Sequence, residues 1–514
     1  MKRIAYTLRI LFASVLLLAF SQACTDLEEE LYSQVTPDNF FQTDAEFVSA
    51  LGSAYTQLNS IGGNGNVFSL QEVTSDEMVV PTRGQDWDDG GQWRNLHTHD
   101  YTYENPIINN GWAFCYGGIS TCNRLIFQFN DLGVDGAEAF EAELRALRAL
   151  YYYWLIDLYG NVPIVTEFDV PADFAPANNT RQEVFSFIET ELTEAVPLLS
   201  KEVGGAAYGR VNYYTAQMIL AKLYLNAEVY TGTPQLDKAL TAVNEIINSG
   251  EYSLAPNYYD NFEVNNQNSP EFIFAIPYDE VFLQGFNVHM MTLHYVSENT
   301  YNLTEQPWNG FASLQEFYDS YEDTDVRKQN FIVGPQFSLE GERLVDPGAE
   351  ADDPDGPELT FTPEINELGP QAFRQAGARI GKWEYEIGTT AQLNNDLAVF
   401  RYSDVVLMKA EILFRQGQTG GEALALVNQI RNRASVEPFD VLTEDLLLAE
   451  RGREMFAEQT RRTDLIRFDR YNAPWQFKAQ DPSDHVNIFP IPRPQLESNS
   501  NLSQNPGYVG GQGG

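Results

Sequence analysis

The sequence predicts a mainly α-helical protein in which a scaffold of tetratricopeptide-like helical hairpins carries a large, irregular, loop-rich region with a few short strands. Apolar residues recur every three or four positions in the middle of the chain and towards its C-terminus, which is typical of packed helices. Two of these helical stretches repeat one spacing of large and small residues, as stacked hairpins do. The stretches between them are rich in Gly, Asn, Asp, Pro and aromatic residues and have no helical period.

The N-terminus has the composition of a bacterial export signal. Three basic residues precede the apolar run "ILFASVLLLAF", which is too short for a membrane-spanning helix, and "SQACTDLEEE" follows it directly. The small residues before Cys24 resemble a lipoprotein cleavage site, although Ser21 stands where an aliphatic residue is usual. We therefore expect residues 1–23 to be a lipoprotein signal peptide and Cys24 to carry the lipid that anchors the protein to a membrane. The alternative is an ordinary secretory signal followed by an incidental cysteine.

The charge balance argues against one class of partner. The 514 residues include 73 acidic and 32 basic side chains, for a formal net charge of −41, and 43% of them are hydrophobic, as in a globular protein. Such a surface repels a phosphate backbone, and the sequence contains no compensating basic stripe. We therefore expect no nucleic-acid partner.

Few residues of this chain could hold a metal. Beyond Cys24 the cysteines are Cys115 and Cys122, which a helix would place about 10 Å apart, too far for a disulfide. We expect two buried free thiols. Of the five histidines only His97 and His99 lie close together, so we predict no metal site and no cofactor.

The helical segments can be located along the chain. An apolar stripe in 138–159 ends at a glycine and a proline, and further helices are expected near 181–199 and 444–460. The segments "VNYYTAQMILAKLYLNAEVYTG" and "PQLDKALTAVNEIINSG" form one hairpin, and "VVLMKAEILFRQGQTGGEALALVNQIRNRAS" repeats its spacing downstream. The matched residues are Leu223, Ala227, Tyr230, Ala239, Val243 and Ile246 in the first hairpin, and Leu407, Phe414, Ala423, Val427 and Ile430 in the second. Glu411 departs from the pattern, since it stands where the first hairpin has Ala227.

Two conspicuous clusters are assigned to packing and not to a site. Four consecutive aromatic residues, "YYYW" at 151–154, must point around their helix, so we assign them to contacts between helices. In "ERGREMFAEQTRRTDL" four arginines lie beside four acidic residues. This spacing favours a network of helix ion pairs over an anion-binding site.

The predicted layout is one domain over residues 24–514. The scaffold is expected at about 36–60, 105–250 and 395–470, the ligand-binding insertions at about 62–104 and 251–395, and an irregular C-terminal segment at 471–514. Long loops inside a compact protein are usually functional. Short apolar runs such as "EFIFAIPY" predict isolated strands within the longer insertion.

Eight ordered blocks of the chain resemble the SusD/RagB family of outer-membrane nutrient-binding lipoproteins of Bacteroidetes. The blocks are "TPDNFFQTDAEF" (36–47), "EVTSDEMVVPTRGQDWDDGGQW" (72–93), "GISTCNRLI" (118–126), "AELRALRALYYYWLIDLYGNVPIV" (142–165), "GRVNYYTAQMILAKLYLNAEVYTG" (209–232), "VFRYSDVVLMKAEILFRQG" (399–417), "ERGREMFAEQTRRTDLIRF" (450–468) and "IFPIPRPQLESNSNLSQNPGY" (488–508). The resemblance implies an α-rich fold with four tetratricopeptide-like units and an irregular ligand region.

The resemblance also implies a function and a location. The function is capture of an oligosaccharide or polysaccharide outside the cell and its delivery to a SusC-like TonB-dependent outer-membrane transporter. The acidic residues just after Cys24 are similar to the signal that sends such lipoproteins to the cell surface. The protein is therefore expected at the outer membrane, lipid-anchored and surface-exposed.

The candidate ligand-binding residues lie in the two insertions. The run "PTRGQDWDDGGQWRN" sets two tryptophans among polar and glycine residues that cannot easily bury them, and an exposed indole can pack on the C–H face of a pyranose ring. The resemblance implies one platform tryptophan after "TSDE", either Trp87 or Trp93, and a second, Trp308, in the later insertion. Tyr301 is added because it is near Trp308 in the sequence. We also expect three charged hydrogen-bonding partners for the sugar hydroxyls: Asp76, Arg83 and Asp86.

The sequence contains no motif of an enzyme. It lacks a nucleophile elbow, a phosphate-binding glycine loop, a His-Glu zinc helix and a Cys/His dyad signature. We therefore predict a non-catalytic glycan-binding protein whose ligand, given the sparse positive charge, is a neutral glycan of the glucan or fructan type. One alternative is a tetratricopeptide scaffold that binds a peptide or protein partner. Another is a glycosidase, whose paired carboxylates would leave no spacing signature along the chain.

Overall fold

Helices make up most of the regular structure, which confirms the predicted mainly α fold. The computed structural model describes residues 44–132, 137–349 and 356–510. The predicted signal peptide and the lipidation site Cys24 lie outside these residues. From Phe47 onward the described chain forms one compact unit, and of the separate unit Met1–Glu46 only the start of the first helix is described. None of the helices in the described part of the chain is both long and apolar enough to cross a bilayer.

Seventeen α-helices and eight short strands lie within the described residues. The helices are α1 (Asp44–Tyr55), α2 (Val67–Glu72), α3 (Gln92–His97), α4 (Pro106–Leu132), α5 (Glu138–Leu158), α6 (Arg181–Ala195), α7 (Tyr213–Leu225), α8 (Ala227–Thr231), α9 (Leu236–Ser249), α10 (Val288–Thr292), α11 (Glu298–Tyr301), α12 (Gln315–Asp319), α13 (Tyr402–Arg415), α14 (Glu422–Arg433), α15 (Glu444–Met455), α16 (Arg461–Arg467) and α17 (Arg493–Ser498). The strands are β1 (Met78–Val79), β2 (Phe272–Ile276), β3 (Ala312–Ser313), β4 (Phe331–Ile332), β5 (Gly334–Pro335), β6 (Thr360–Phe361), β7 (Arg379–Ile380) and β8 (Leu397–Arg401).

Helix α5 lies at the centre of the N-terminal part of the scaffold and packs against α4 and α6. All four residues of its "YYYW" run are buried, because neighbouring elements cover this helix on every side. On α4, Gly118 faces Tyr151 so closely that a Cβ atom there would lie 2.2 Å from the tyrosine ring. Cys115 and Cys122, also on α4, are free and buried, as predicted.

The two predicted repeat hairpins are present. Helices α7 and α9 form the first and α13 and α14 the second, and α9 also packs against α13. The six matched residues of the first hairpin are all buried. In the second hairpin the departure at Glu411 has a physical reason, because its buried carboxylate accepts hydrogen bonds from Arg415 and Arg467 at 2.7 Å each. An alanine at this position could not hold these two arginines.

One predicted helix is divided into two. The segment "VNYYTAQMILAKLYLNAEVYTG", expected to form one helix of the first hairpin, is interrupted at Asn226, which separates α7 from α8. The Asn226 side chain donates to the Lys222 carbonyl at 2.8 Å and accepts from Arg467 at 2.9 Å. A side-chain amide that bonds the backbone of its own helix competes with the helical hydrogen bonds, which explains the break.

The described strands pair as four antiparallel two-stranded sheets: β1–β3, β2–β8, β4–β7 and β5–β6. The predicted strand in "EFIFAIPY" is β2, all of whose residues are buried. Its partner β8, which pairs Leu397 with Ile276, was not predicted from the sequence. Because β8 leads directly into α13, this sheet joins the longer insertion to the scaffold.

We expect Gly118→Ala to lower the free energy of unfolding by about 2–3 kcal/mol, because the added methyl group would overlap the ring of Tyr151. The matched control is Gly52→Ala in α1, where an added Cβ would meet no atom within 4 Å. This control should raise stability by up to about 1 kcal/mol through helix propensity. Urea unfolding of both variants measures the difference, and equal stabilities would contradict the described packing of α4 on α5.

Candidate functional site

The pairing of β1 with β3 brings the two predicted tryptophan-bearing segments together. Met78 lies opposite Ser313 and Val79 opposite Ala312, so the chain leaving β1 and the chain entering β3 meet at one end of the sheet. Trp87 and Trp93 follow β1, whereas Trp308 and Phe311 precede β3. We call these four rings the aromatic platform.

Trp87 lies at the centre of the aromatic platform. Its ring centroid is 5.3 Å from that of Trp93, 6.5 Å from that of Trp308 and 5.4 Å from that of Phe311. Trp93 also contacts Phe311, with 5.6 Å between the centroids. The edge-on and tilted arrangements of these rings are the favourable ones for aromatic pairs.

The three tryptophans differ in exposure. Trp308 is 36% exposed, Trp87 is half-buried and Trp93 is only 2% exposed. The Trp93 indole N–H donates to Asp89 Oδ2 at 2.8 Å, so its polar atom is satisfied inside the loop. The surface that a ligand could cover is therefore provided by Trp308 and by part of Trp87, while Trp93 and Phe311 support them from below.

The orientation of Trp87 is fixed by its backbone and by one hydrogen bond. Its φ of 59° lies in the left-handed region, which is costly for a bulky residue and is often found at functional sites. The indole N–H donates to the carbonyl of Trp308 at 2.7 Å. The ring lies over Gly310, where a Cβ atom would come within 2.4 Å of it. Only glycine permits this approach.

Arg83 holds the two sides of the site together. Its side chain is 2% exposed, and its guanidinium donates to the carbonyls of Asn309 (2.8 Å), Gly310 (2.7 Å), Phe373 (3.2 Å) and Ala376 (2.6 Å). Arg83 was predicted as a partner for a ligand. The structure places its donors on backbone carbonyls of the loop that carries Trp308 and of the segment that contains Phe373 and Ala376.

Asp86 lies at the edge of the aromatic platform, where its carboxylate accepts a hydrogen bond from the hydroxyl of Tyr295 at 3.3 Å. The half-buried Tyr295 lies against His294, with 4.1 Å between the ring centroids. Burial and the adjacent carboxylate of Asp86 raise the pKa of Tyr295, so its hydroxyl remains a donor at neutral pH. Sequence reasoning missed this residue.

Tyr301, which was chosen instead for its nearness to Trp308, lies in a different environment. Its ring packs edge-on against Tyr385 at 5.5 Å, and burial raises its pKa to about 12. Tyr295 and Tyr301 are the first and last residues of "YVSENTY". Nothing in the sequence of that run indicates that Tyr295, and not Tyr301, contacts Asp86.

Asp76, the remaining predicted partner, forms a bidentate ion pair with Arg461, at 2.6 and 2.7 Å. This pair attaches the segment before β1 to helix α16. Both Asp76 oxygens are therefore engaged with the scaffold.

A pair of buried carboxyl groups lies beneath the site. Glu72 and Glu77 are both fully buried, and the backbone N–H of Gln459 donates to Glu72 at 2.6 Å. The backbone N–H of Ala457 donates to the Glu77 carboxylate at 3.4 Å, so both carboxyl groups lie against the segment that joins α15 to α16. Burial raises the pKa of Glu72 from 4.5 to about 7, and burial together with the neighbouring Glu72 raises the pKa of Glu77 well above 4.5. Both carboxyl groups therefore keep a proton to a higher pH than an exposed glutamate does.

Comparison with known proteins identifies the family. A profile described as "Starch-binding associating with outer membrane" matches residues 27–225, and the profile of the SusD family matches residues 373–508. The chain belongs to the SusD/RagB family. The prediction that it is not an enzyme is confirmed, because the proteins it resembles are carbohydrate-binding and non-catalytic.

Individual relatives are similar over most of their length. Starch-binding protein SusD of Bacteroides thetaiotaomicron is 27% identical over 440 residues, which cover 77% of this chain and 78% of that protein. Surface glycan-binding protein A from Bacteroides thetaiotaomicron has a TM-score of 0.73 at 23% identity, covering 91% of this chain and 100% of that one. The structure described as that protein in complex with laminarihexaose has a TM-score of 0.71 at 23% identity, with coverages of 90% and 99%. These structural similarities support the fold.

We expect Glu72→Gln to remove a pH dependence of stability. Between about pH 4.5 and pH 7 the Glu72 carboxyl group is protonated in the folded wild type but ionised in the unfolded chain. Because the folded state then binds more protons, its stability falls as the pH rises through this range. We therefore subtract the free energy of unfolding of the variant from that of the wild type. This difference should decrease from pH 4.5 to pH 7 and then level off. Urea titrations across this range measure it, with the exposed Glu251→Gln as control. A constant difference across the range would refute the raised pKa of Glu72.

We expect Gly310→Ala to displace Trp87 from the Trp308 carbonyl, since the methyl group would overlap the indole. The near-ultraviolet circular dichroism and the tryptophan fluorescence should change while the far-ultraviolet spectrum does not. Gly65→Ala is the matched control, because a Cβ atom at Gly65 would meet no atom within 4 Å. Unchanged near-ultraviolet spectra of the Gly310 variant would show that the described contact is wrong.

Proposed function

We propose that this protein is a non-catalytic, cell-surface glycan-binding lipoprotein that captures an oligosaccharide or polysaccharide and delivers it to a SusC-like TonB-dependent transporter. The observation that carries the proposal is the convergence of Trp308 and Trp87 on one surface, with the polar groups of Asp86 and Tyr295 beside it. Membership of the SusD/RagB family supports it.

The proposed binding mode follows from the chemistry of these side chains. The exposed face of Trp308, continued by Trp87, packs on the C–H face of a pyranose ring. The Asp86 carboxylate accepts, and the Tyr295 hydroxyl donates or accepts, hydrogen bonds with the sugar hydroxyls. Trp93, Arg83 and the backbone around Gly310 hold the rings in place before the ligand arrives, which lowers the entropic cost of binding.

We propose a neutral glycan of the glucan or fructan type. The charged groups around the aromatic platform are mainly acidic: Asp86, Asp88 and Asp89 lie within its loop, and Arg94 is paired with Asp88 at 3.4 Å. A uronate polymer would meet this negative charge, as well as that of a chain with a net charge of −41. The relatives named above bind starch and laminarihexaose, both of which are neutral glucans.

The membrane and transporter parts of the proposal rest on the family. The matching profile is described as associating with the outer membrane, which supports an outer-membrane location. We propose that lipid on Cys24 provides the anchor and that the scaffold contacts the transporter. Two results would support this part. The transporter should co-purify with the native lipoprotein, and in Cys24→Ala cells the protein should be missing from the membrane fraction and should no longer co-purify with the transporter.

We expect Trp308→Ala to weaken glycan binding at least about tenfold, because it removes the most exposed ring of the aromatic platform. Affinity electrophoresis in gels that contain starch, laminarin or a fructan measures the retardation of the protein. The matched control is Phe174→Ala, which removes an aromatic ring of comparable exposure, 43%, from the segment that precedes α6. Failure of the wild type to be retarded by any neutral glycan would overturn the proposal, as would equal retardation of the Trp308 variant.

A further inference from the structure

A second pocket lies beside the aromatic platform. Its volume is about 490 Å³, which is within the usual range for small-molecule sites. It is lined by residues of the longer insertion, among them Gln315, Thr362, Glu364, Asn366, Phe373 and Ala376. We call it the Phe373 pocket. On the basis of the proposed function, we infer that it is a second carbohydrate subsite that binds further units of the chain held by the aromatic platform.

One buried guanidinium connects the two sites. Arg83 donates to the carbonyls of Phe373 and Ala376, which line the Phe373 pocket, and also to those of Asn309 and Gly310, which follow Trp308. The loop that carries Trp308 and the segment that lines the pocket are therefore bound to the same guanidinium group. A single glycan chain is long enough to contact both.

Backbone hydrogen bonds reinforce this connection. The N–H of Thr82 donates to the Leu368 carbonyl at 3.0 Å, and that of Gly84 donates to the Pro370 carbonyl at 3.1 Å. The loop that carries Trp87 thus lies alongside the segment that forms the pocket. These hydrogen bonds join the two segments directly.

The lining of the pocket repeats the chemistry of the aromatic platform. Phe373 provides a partly exposed ring. Within the described residues, the side-chain amide of Gln315 and the carboxylate of Glu364 make no hydrogen bond or ion pair, so both are available to sugar hydroxyls. Asn366 is already positioned, since its amide donates to the Gln371 carbonyl at 2.8 Å and accepts from the Phe373 N–H at 2.9 Å.

These groups indicate a neutral, hydroxyl-rich ligand. The one charged side chain named in the lining, Glu364, is negative and would repel a phosphate or a uronate. A wholly apolar ligand would leave the polar groups of Gln315 and Glu364 without partners. A sugar unit satisfies both requirements, because it offers hydroxyls to these groups and a C–H face to the Phe373 ring.

The test compares ligands of different length. Titration calorimetry with laminaribiose and laminarihexaose, with maltose and maltohexaose, and with the disaccharide and hexasaccharide of a fructan measures the affinity of each chain. We expect Phe373→Ala to weaken binding of the hexasaccharide at least about fivefold and to leave disaccharide binding unchanged. Trp308→Ala should weaken both. Gln315→Ala, a change at a partly exposed side chain that makes no hydrogen bond to the described residues, should act like Phe373→Ala with a smaller effect.

The outcomes separate the two proposals. If Phe373→Ala and Gln315→Ala bind the hexasaccharide as tightly as the wild type, or lose disaccharide and hexasaccharide affinity equally, the second subsite is refuted while the aromatic platform stands. If the wild type binds none of these chains, the proposed function fails, and the subsite fails with it. Phe174→Ala serves again as the aromatic control, and far-ultraviolet circular dichroism verifies that each variant is folded.

Discussion

The structure depends on a buried ion network centred on Arg401, at the end of β8. Its guanidinium donates to Glu271 (2.9 Å), to Glu454 (2.8 Å) and to both oxygens of Glu458 (2.7 and 2.9 Å), and all four side chains are buried. Glu271 precedes β2 in the longer insertion, whereas Glu454 belongs to α15 of the scaffold. Removal of one partner from such a network typically lowers the free energy of unfolding by about 3–5 kcal/mol, because the remaining charges stay buried away from water without a partner. The network therefore fixes the position of the insertion on the helices.

The same corner of the scaffold holds both insertions. Arg327 of the longer insertion pairs with Glu450 at 2.8 Å, and Asp76 of the shorter one pairs with Arg461 at 2.6 Å. Burial alone would raise the pKa of Glu450, but Arg327 and neighbouring arginines outweigh it and lower this pKa to about 2. Charge pairs of this kind need precise geometry, so they hold irregular loops more specifically than apolar contacts do. The aromatic rings on these loops consequently lose little freedom when a ligand binds.

The sequence predicted the parts of this fold that depend on local patterns. Helical periodicity located α5, α7, α9, α13 and α14, and the closely spaced opposite charges of "ERGREMFAEQTRRTDL" correctly indicated an ion network. What spacing could not reveal is which partners come from elsewhere in the chain. Arg461 pairs with Asp76 and Arg462 with Asp157, each several hundred residues away in sequence, and only the tertiary fold brings these groups together.

The candidate site was predictable to the level of segments, and the individual roles depend on packing. Two tryptophans in a polar run are equivalent by composition, yet the left-handed turn at Trp87 leaves its ring partly open while Trp93, in the first turn of α3, is covered. Which of Trp87 and Trp93 is exposed is thus determined by backbone geometry and by Gly310, a glycine of the other insertion. Because the buried charges fix the loops from beneath, side chains at their outer surface can vary without loss of the fold. A scaffold of this design can therefore acquire a different glycan preference through changes confined to the two insertions.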